Sequence, residues 1–397
     1  MSLQLVLKTI LGVYIAINAY LLIRLSGMLR GTGFLRLLAC TLLLLCALSF
    51  PLGQILSRQS PGWLASLLIT VGVLYIAPMI YAFLLALVFE ILRVLNGSLA
   101  LTYYPPPFGV SGRLAVVGTI CALSVLISLG GALNTKFPTV VRRTVPWTAT
   151  LRPAADSVPE RITVALLSDV HLGRRVSPRH LKKLIGLVAR ENPDILLLVG
   201  DFIDDDSRIE DETEAAEIRE ILSSYIPRLG TWAVLGNHEY YSGLEAVERF
   251  FSANGIRLLR DQWATPGGEL LLIGRDDRTV ERYGGVRAPL AAIRDEALRN
   301  ALVDATALPC VVMDHQPFDL HEAEEVGAHL EVSGHTHRGQ LFPFQWIVRA
   351  IYECHYGSHR RGDTRYYVSS GAGTWGPPVR TVGRPEVVIL TLQKERR

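Results

Sequence analysis

The sequence predicts a multi-pass α-helical membrane domain followed by an α/β domain of two packed β-sheets flanked by helices. Three observations carry that reading. Apolar residues crowd into the first third of the 397-residue chain. From Arg161 onward, short β-rich runs alternate with helical ones and then dominate the second half. Finally, those β-rich runs end in acids, amides and imidazoles rather than in ordinary turn residues. At this length the chain has room for two or three domains, each with its own core.

The membrane reading rests on four apolar runs, at 5–25, 34–56, 62–95 and 114–133. Each reaches the ~20 residues needed to cross a bilayer's hydrocarbon. Three further spans and no small-residue cleavage signature argue against a removable signal peptide at the first. Glu90, close to Arg93 near the end of the third run, reads as a paired or snorkelling charge. Cys40, Cys46 and Cys121 fall in these runs as small apolar fillers, leaving Cys310 and Cys354 in the remainder. No CxxC spacing marks a zinc ribbon or a disulfide framework. Residues 1–133 are thus the expected membrane domain with about four helices.

Four spans put Arg24, Arg30, Arg36, Arg93 and Arg113 on one side and Lys8, Arg58, Lys136, Arg142 and Arg143 on the other. The positive-inside rule does not separate five from five. The short loops alone favour a catalytic domain on the extracytoplasmic side of a cell (inner) membrane. Net charge is +3, with no lysine-rich or aromatic-interleaved basic patch, so nucleic acid is not an indicated partner.

Residues 134–160 are polar, contain proline and lack periodicity, which predicts a linker. The domain expected over 161–397 begins with a strand at 162–168, then a helix opened by Ser177 with Pro178 in its first turn. Strands are expected at 194–200 and 231–236, and shorter ones at 269–274, 309–314, 329–334, 365–370 and 386–392. The acids Asp211, Glu212 and Glu214 sit at a helix start, where they suit the helix dipole better than a cation.

The chemistry is concentrated just past the strand ends. "SDVHLG" places Asp169 and His171 after the first strand, and "GDFIDD" places Asp201 and Asp204 after the second. "GNHEYY" supplies Asn237, His238 and Glu239; "MDHQP" supplies His315; "GHTHRGQ" supplies His335 and His337. In open α/β sheets the carboxyl ends of strands face one crevice, where ligands bind. Burying that many acids and imidazoles without compensation is costly, and a pair of divalent cations supplies the compensation. Glycines before Asp201, Asn237 and His335 fit turns that must pass close to such ions. Nitrogen and oxygen donors without thiolate suit manganese foremost, with iron or zinc as alternatives. His335 and His337 then serve two different ions.

The ordered series D-x-H, G-D-x-x-D, G-N-H-[DE], H and G-H-x-H, all within residues 165–340, resembles the calcineurin-like metallophosphoesterase superfamily. The chain is also similar to its membrane-associated branch of YaeI-like phosphodiesterases and transmembrane metallophosphoesterases, through "GHTH-x-GQ" and the late "SSGAGTWGPPVR". Arg338 departs from that branch, which commonly has glycine there, and makes the pocket mouth more cationic. The membrane half carries no motif beyond its hydrophobicity.

The resemblance implies that Asp169, His171, Asp201 and His337 hold a first metal, with Asp201 bridging to a second held by Asn237, His315 and His335. It implies two ions that clamp a phosphoryl oxygen and activate water in line with the leaving group. His238 would protonate the departing oxygen, with Asp204 orienting it. Glu239 reads as structural, and His180, His321, His329, His355 and His359 as ordinary polar residues.

The run "LFPFQWIVRAIY" (341–352), directly after the last histidines, allows two readings. It packs into the core, or it forms a lipid-facing lip of the kind interfacial aromatics favour. The expected function is a membrane-anchored two-metal phosphodiesterase or pyrophosphatase, with lipid-linked phosphoesters as candidate substrates. Two alternatives stand beside it. One is a UDP-2,3-diacylglucosamine pyrophosphatase of lipid A synthesis, which needs a cytoplasmic site. The other is a receptor or scaffold that has lost activity, which the complete ligand set disfavours.

Overall fold

The computed structural model describes residues 3–60, 62–99, 109–148, 159–174, 176–204 and 207–395. The chain divides into two compact units, one of Met1–Leu133 with Gly376–Thr381 and one of Asn134–Trp375 with Val382–Arg397.

The first unit is built of four helices, α1 (Leu3–Met28), α2 (Phe34–Gln59), α3 (Trp63–Leu99) and α4 (Val110–Asn134). All four are long and apolar enough to cross a membrane. Glycines let α2 and α3 approach closely: a Cβ on Gly72 would lie 2.5 Å from the backbone nitrogen of Phe50, and one on Gly53 2.7 Å from that of Ile69. The buried Asn18 is satisfied within the bundle, donating to the Tyr14 carbonyl at 2.8 Å and accepting from the Tyr75 hydroxyl at 2.6 Å. Glu90 is paired, in keeping with its neighbours: it bonds Arg93 at 2.9 Å and also contacts Arg24.

The second unit holds two six-stranded sheets. The first comprises β1 (Thr139–Thr148), β2 (Arg161–Leu167), β3 (Ile195–Val199), β4 (Thr231–Val234), β5 (Ile256–Leu258) and β12 (Glu386–Glu395). Their order is β1-β12-β2-β3-β4-β5. The second comprises β6 (Gln262–Ala264), β7 (Leu271–Gly274), β8 (Cys310–Met313), β9 (Leu330–Ser333), β10 (Gly357–Arg361) and β11 (Thr364–Val368), in the order β10-β11-β9-β8-β7-β6.

Period-two alternation assigns the faces. Ile162, Val164 and Leu166 of β2 join Leu271, Val312 and Leu330 in a core between the sheets. Ala165 and Leu167 of the same strand point the other way, onto Leu181, Leu184 and Val188 of the helix Pro178–Glu191. The run "ILLLV" of β3 is buried on both faces, as an interior parallel strand requires. β2, β3 and β4 run parallel, as do β7, β8 and β9, so within each sheet their carboxyl ends open on one side.

The linker expectation needs correction. Thr139–Thr148 is a strand, paired in parallel with β12 from Thr139↔Glu386 to Thr148↔Glu395. Within the expected linker, residues 149–158 lie outside the described ones. The acid cluster behaves as a helix start: the Asp211 carboxylate accepts from the backbone of Thr213 at 3.0 Å and of Glu214 at 2.9 Å.

Candidate metal centre

The loops after β2, β3, β4, β8 and β9 bring the predicted residues together. Asp169 is fully buried at the end of β2, and its two carboxylate oxygens accept the backbone N–H of His335 at 2.9 and 3.0 Å. The Ser168 hydroxyl donates to the same carboxylate. From the β3 loop, Asp201 Oδ2 lies 3.2 Å from Nε2 of His315 and 3.8 Å from Nε2 of His171. Its other oxygen accepts the backbone N–H of His238 at 2.9 Å. Nε2 of His337 stands 3.4 Å from Asp169 Oδ1 and 3.0 Å from Nε2 of His171.

The imidazoles are oriented by their other nitrogens. His315 donates from Nδ1 to the Val199 carbonyl at 2.9 Å, which leaves Nε2 as the nitrogen able to bind a cation. Asp204 Oδ1 accepts from Nδ1 of His171 at 3.2 Å and faces Nδ1 of His238 at 2.9 Å. Three sets therefore offer donor atoms within 4.8 Å of one another: Asp169, His171 and His337; His171, Asp201 and His238; and Asp201, His315 and His335. Asp201 and His171 each belong to two of them.

The packing is tight enough to demand glycine. A Cβ on Gly236 would fall 2.2 Å from Asp201 Oδ1, and one on Gly334 only 1.7 Å from the Ser168 hydroxyl. Asp169, His171, Asp201, His335 and His337 all have φ between 48° and 66°, the left-handed region that costs a non-glycine residue about 1 kcal/mol. Strain gathered on neighbouring turns of one cluster is a mark of a functional site.

Electrostatics separate the groups. Burial raises the pKa of Asp204, but hydrogen bonds and charge from His171 and His238 outweigh it and pull the carboxyl well below its ordinary range. Burial opposes charge on His238, yet the Asp201 and Asp204 carboxylates together lift its pKa above the usual value. Burial and the neighbouring His315 push His335 down to about 4, which favours the neutral imidazole. Among the described residues, the buried atoms that make no hydrogen bond include Oδ1 of Asn237, the neighbour of His238 in the chain, and Nε2 of His315, which stands 3.2 Å from the Asp201 carboxylate. An orphaned amide oxygen and imidazole nitrogen beside carboxylates are the donors a divalent cation takes up.

Glu239 has a structural task that its position after "GNH" only hinted at. Its buried carboxylate accepts the backbone N–H groups of Asp201 at 2.9 Å, Ile203 at 2.9 Å and Gly236 at 2.7 Å, tying the loops after β3 and β4 together. An aromatic rim around the site had no signal in the sequence: Tyr241 and Trp375 lie 5.6 and 6.3 Å from the His238 ring, and Tyr352 lies 6.3 Å from that of His335. His180 donates to the Ala372 carbonyl at 2.8 Å and so supports the late turn. Arg338 has φ 53°, a conformation that suits glycine, and stacks its guanidinium 4.2 Å over the Tyr356 ring.

The profile of the calcineurin-like phosphoesterase family matches residues 162–339. A metallophosphoesterase of Aquifex aeolicus is 32% identical over 277 residues, covering 68% of this chain and 98% of that protein. One from Campylobacter jejuni is 32% identical over 243 residues, covering 59% of this chain and only 60% of that protein's length. A transmembrane protein with metallophosphoesterase domain from Danio rerio is 27% identical over 349 residues, covering 84% of this chain and 75% of that one.

Proposed function

Because the chain belongs to the calcineurin-like phosphoesterase family, we propose that it is a membrane-anchored, two-metal phosphodiesterase or pyrophosphatase acting on lipid-linked phosphoesters. Asp169, His171, Asp201 and His337 hold one divalent cation, and Asp201, Asn237, His315 and His335 the other. Such a pair supplies Lewis acidity to the phosphoryl group and an activated water. Mixed nitrogen and oxygen donors without thiolate suit manganese, iron or zinc, and manganese is the ion we put first.

The observation that carries this reading is the His238–Asp204 pair, 2.9 Å apart and edging the two donor sets. Nδ1 of His238 is engaged with Asp204, so Nε2 is the nitrogen that gives a proton to the leaving oxygen as the P–O bond breaks. Asp204 fixes the tautomer and favours the imidazolium, as the raised pKa of His238 reflects. The contacts of the Asp201 carboxylate with both His171 and His315 support the reading in which it would serve both cations.

The anchoring helices belong in an inner membrane that the chain crosses several times, with the catalytic domain outside the cytoplasm. Purified protein with added manganese, screened against phospholipids, nucleotide-linked lipids and cyclic nucleotides, tests the substrate class. Hydrolysis confined to soluble cyclic nucleotides removes the lipid reading, and preference for a nucleotide-linked diacylglucosamine selects the lipid A alternative.

A further inference from the structure

The run 341–352 buries Leu341, but the rest of it does not pack into the core. It forms a helix, Phe344–Ile351, in which no residue is buried. Phe344, Ile347 and Ile351 follow one another at i, i+3 and i+7, which sets them along one face, and all three are exposed. Trp346 is 62% exposed and meets the exposed Phe342 edge-on at 5.1 Å. Soluble domains scatter their exposed apolar residues singly, whereas here five large ones fall within ten residues of chain.

We propose that the helix Phe344–Ile351 lies in the headgroup region of a lipid bilayer and leads the apolar part of a lipid phosphoester to the metal centre; this rests on the phosphoesterase reading above. Three observations favour lipid over a protein partner. The chain carries four helices able to cross a membrane, so a bilayer is the apolar medium always at hand. The helix sets Phe344 and the two isoleucines along one face, while Trp346 and the exposed Arg349 lie on its other side, about 200° and 140° round from Phe344, and Arg338 precedes it; an apolar stripe flanked by aromatic and cationic groups matches an anionic headgroup layer. Moreover, both ends of the helix meet the site. Its start comes just after the His337–Gly339 turn, and the residue that caps its end, Tyr352, lies 6.3 Å from the His335 ring and 4.7 Å from Phe318. An acyl or prenyl chain lying along Ile347 and Ile351 thus runs toward Tyr352 and the ligands.

The test uses the full chain in nanodiscs of phosphatidylcholine and phosphatidylglycerol, with a photo-crosslinking benzoylphenylalanine in place of Ile347 or, as control, of the fully exposed Leu302. Illumination should attach lipid at position 347 and not at 302. Adducts to a second protein chain at 347, or lipid adducts no more frequent than at 302, overturn the proposal. This readout needs no turnover, so a chain that hydrolyses nothing would sink the phosphoesterase reading while the crosslink still decides the helix. The delivery role is read separately, by kinetics of an Ile347→Asp, Ile351→Asp variant. KM for a phospholipid phosphodiester in vesicles should rise about tenfold more than KM for bis(p-nitrophenyl) phosphate in solution. An equal rise for both, or a loss confined to kcat, counts against delivery.

Discussion

Asp204 Oδ1 sits 2.9 Å from Nδ1 of His238 and 3.2 Å from Nδ1 of His171, so one carboxylate orients both a proposed ligand and the proposed acid. If His238 protonates the leaving oxygen, His238→Asn keeps both metals and slows turnover roughly 10²–10⁴-fold, the usual worth of general acid catalysis. The loss should be largest for alkyl leaving groups, whose alkoxide most needs a proton, and should shrink for p-nitrophenolate. Asp204→Asn should show the same trend more mildly. Equal slowing across leaving groups, together with lost metal, would make His238 a ligand instead.

Asp201 stands between the two donor sets, with Nε2 of His315 and of His171 on the same carboxylate oxygen. Asp201→Ala is therefore expected to abolish activity and to lower bound metal at both positions, where loss of a single-site ligand lowers one. Elemental analysis of the purified variant checks this. Normal occupancy would falsify the bridging role.

Glu239 accepts three backbone N–H groups from the loops that carry Asp201 and Asn237. Glu239→Gln turns one acceptor into a donor and strands at least one buried N–H, a cost of about 1–3 kcal/mol. Lower thermal stability together with weaker metal retention is the expected result, measured by melting and by metal titration. A variant that melts and binds as the parent does would remove Glu239 from the support of the site.

The side of the membrane is open to a direct measurement. In intact cells, a cysteine in place of the fully exposed Leu302 should react with a membrane-impermeant maleimide if the catalytic domain is extracytoplasmic. Cys310 and Cys354 are buried, and Cys40, Cys46 and Cys121 lie in helices long and apolar enough to cross a membrane, so replacing those three with alanine sets a low background. Labelling only after lysis would put the domain in the cytoplasm and revive the lipid A alternative.

How far the sequence reads depends on how local each signal is. The residues of the centre were legible because each stands just past the end of a strand and parallel strands open their carboxyl ends together; apolar run, glycine and polar cluster are neighbours in the chain. The four apolar helices are legible for the same reason, since length and composition decide them. The strand Thr139–Thr148 was not. Its partner is at the far end of the chain, and the Arg142–Arg143 pair breaks the alternation that would have marked it.

By itself, then, the sequence determined which acids, amides and imidazoles stand just past the strand ends, and that four long apolar helices precede the α/β domain. Only the tertiary structure decided how they are used. Asp201 reaches both His171 and His315 because loops from two different sheets meet, which no spacing along the chain encodes. The Phe344–Ile351 helix has the same pattern whether its apolar face seeks a core or a lipid, and only folding showed that no core covers it. The left-handed turns at Asp169, His171, Asp201, His335 and His337 are likewise invisible in sequence, because isolated residues avoid that conformation. What holds them there is the surrounding framework, whose hydrogen bonds repay the local strain only once the distant loops have come together.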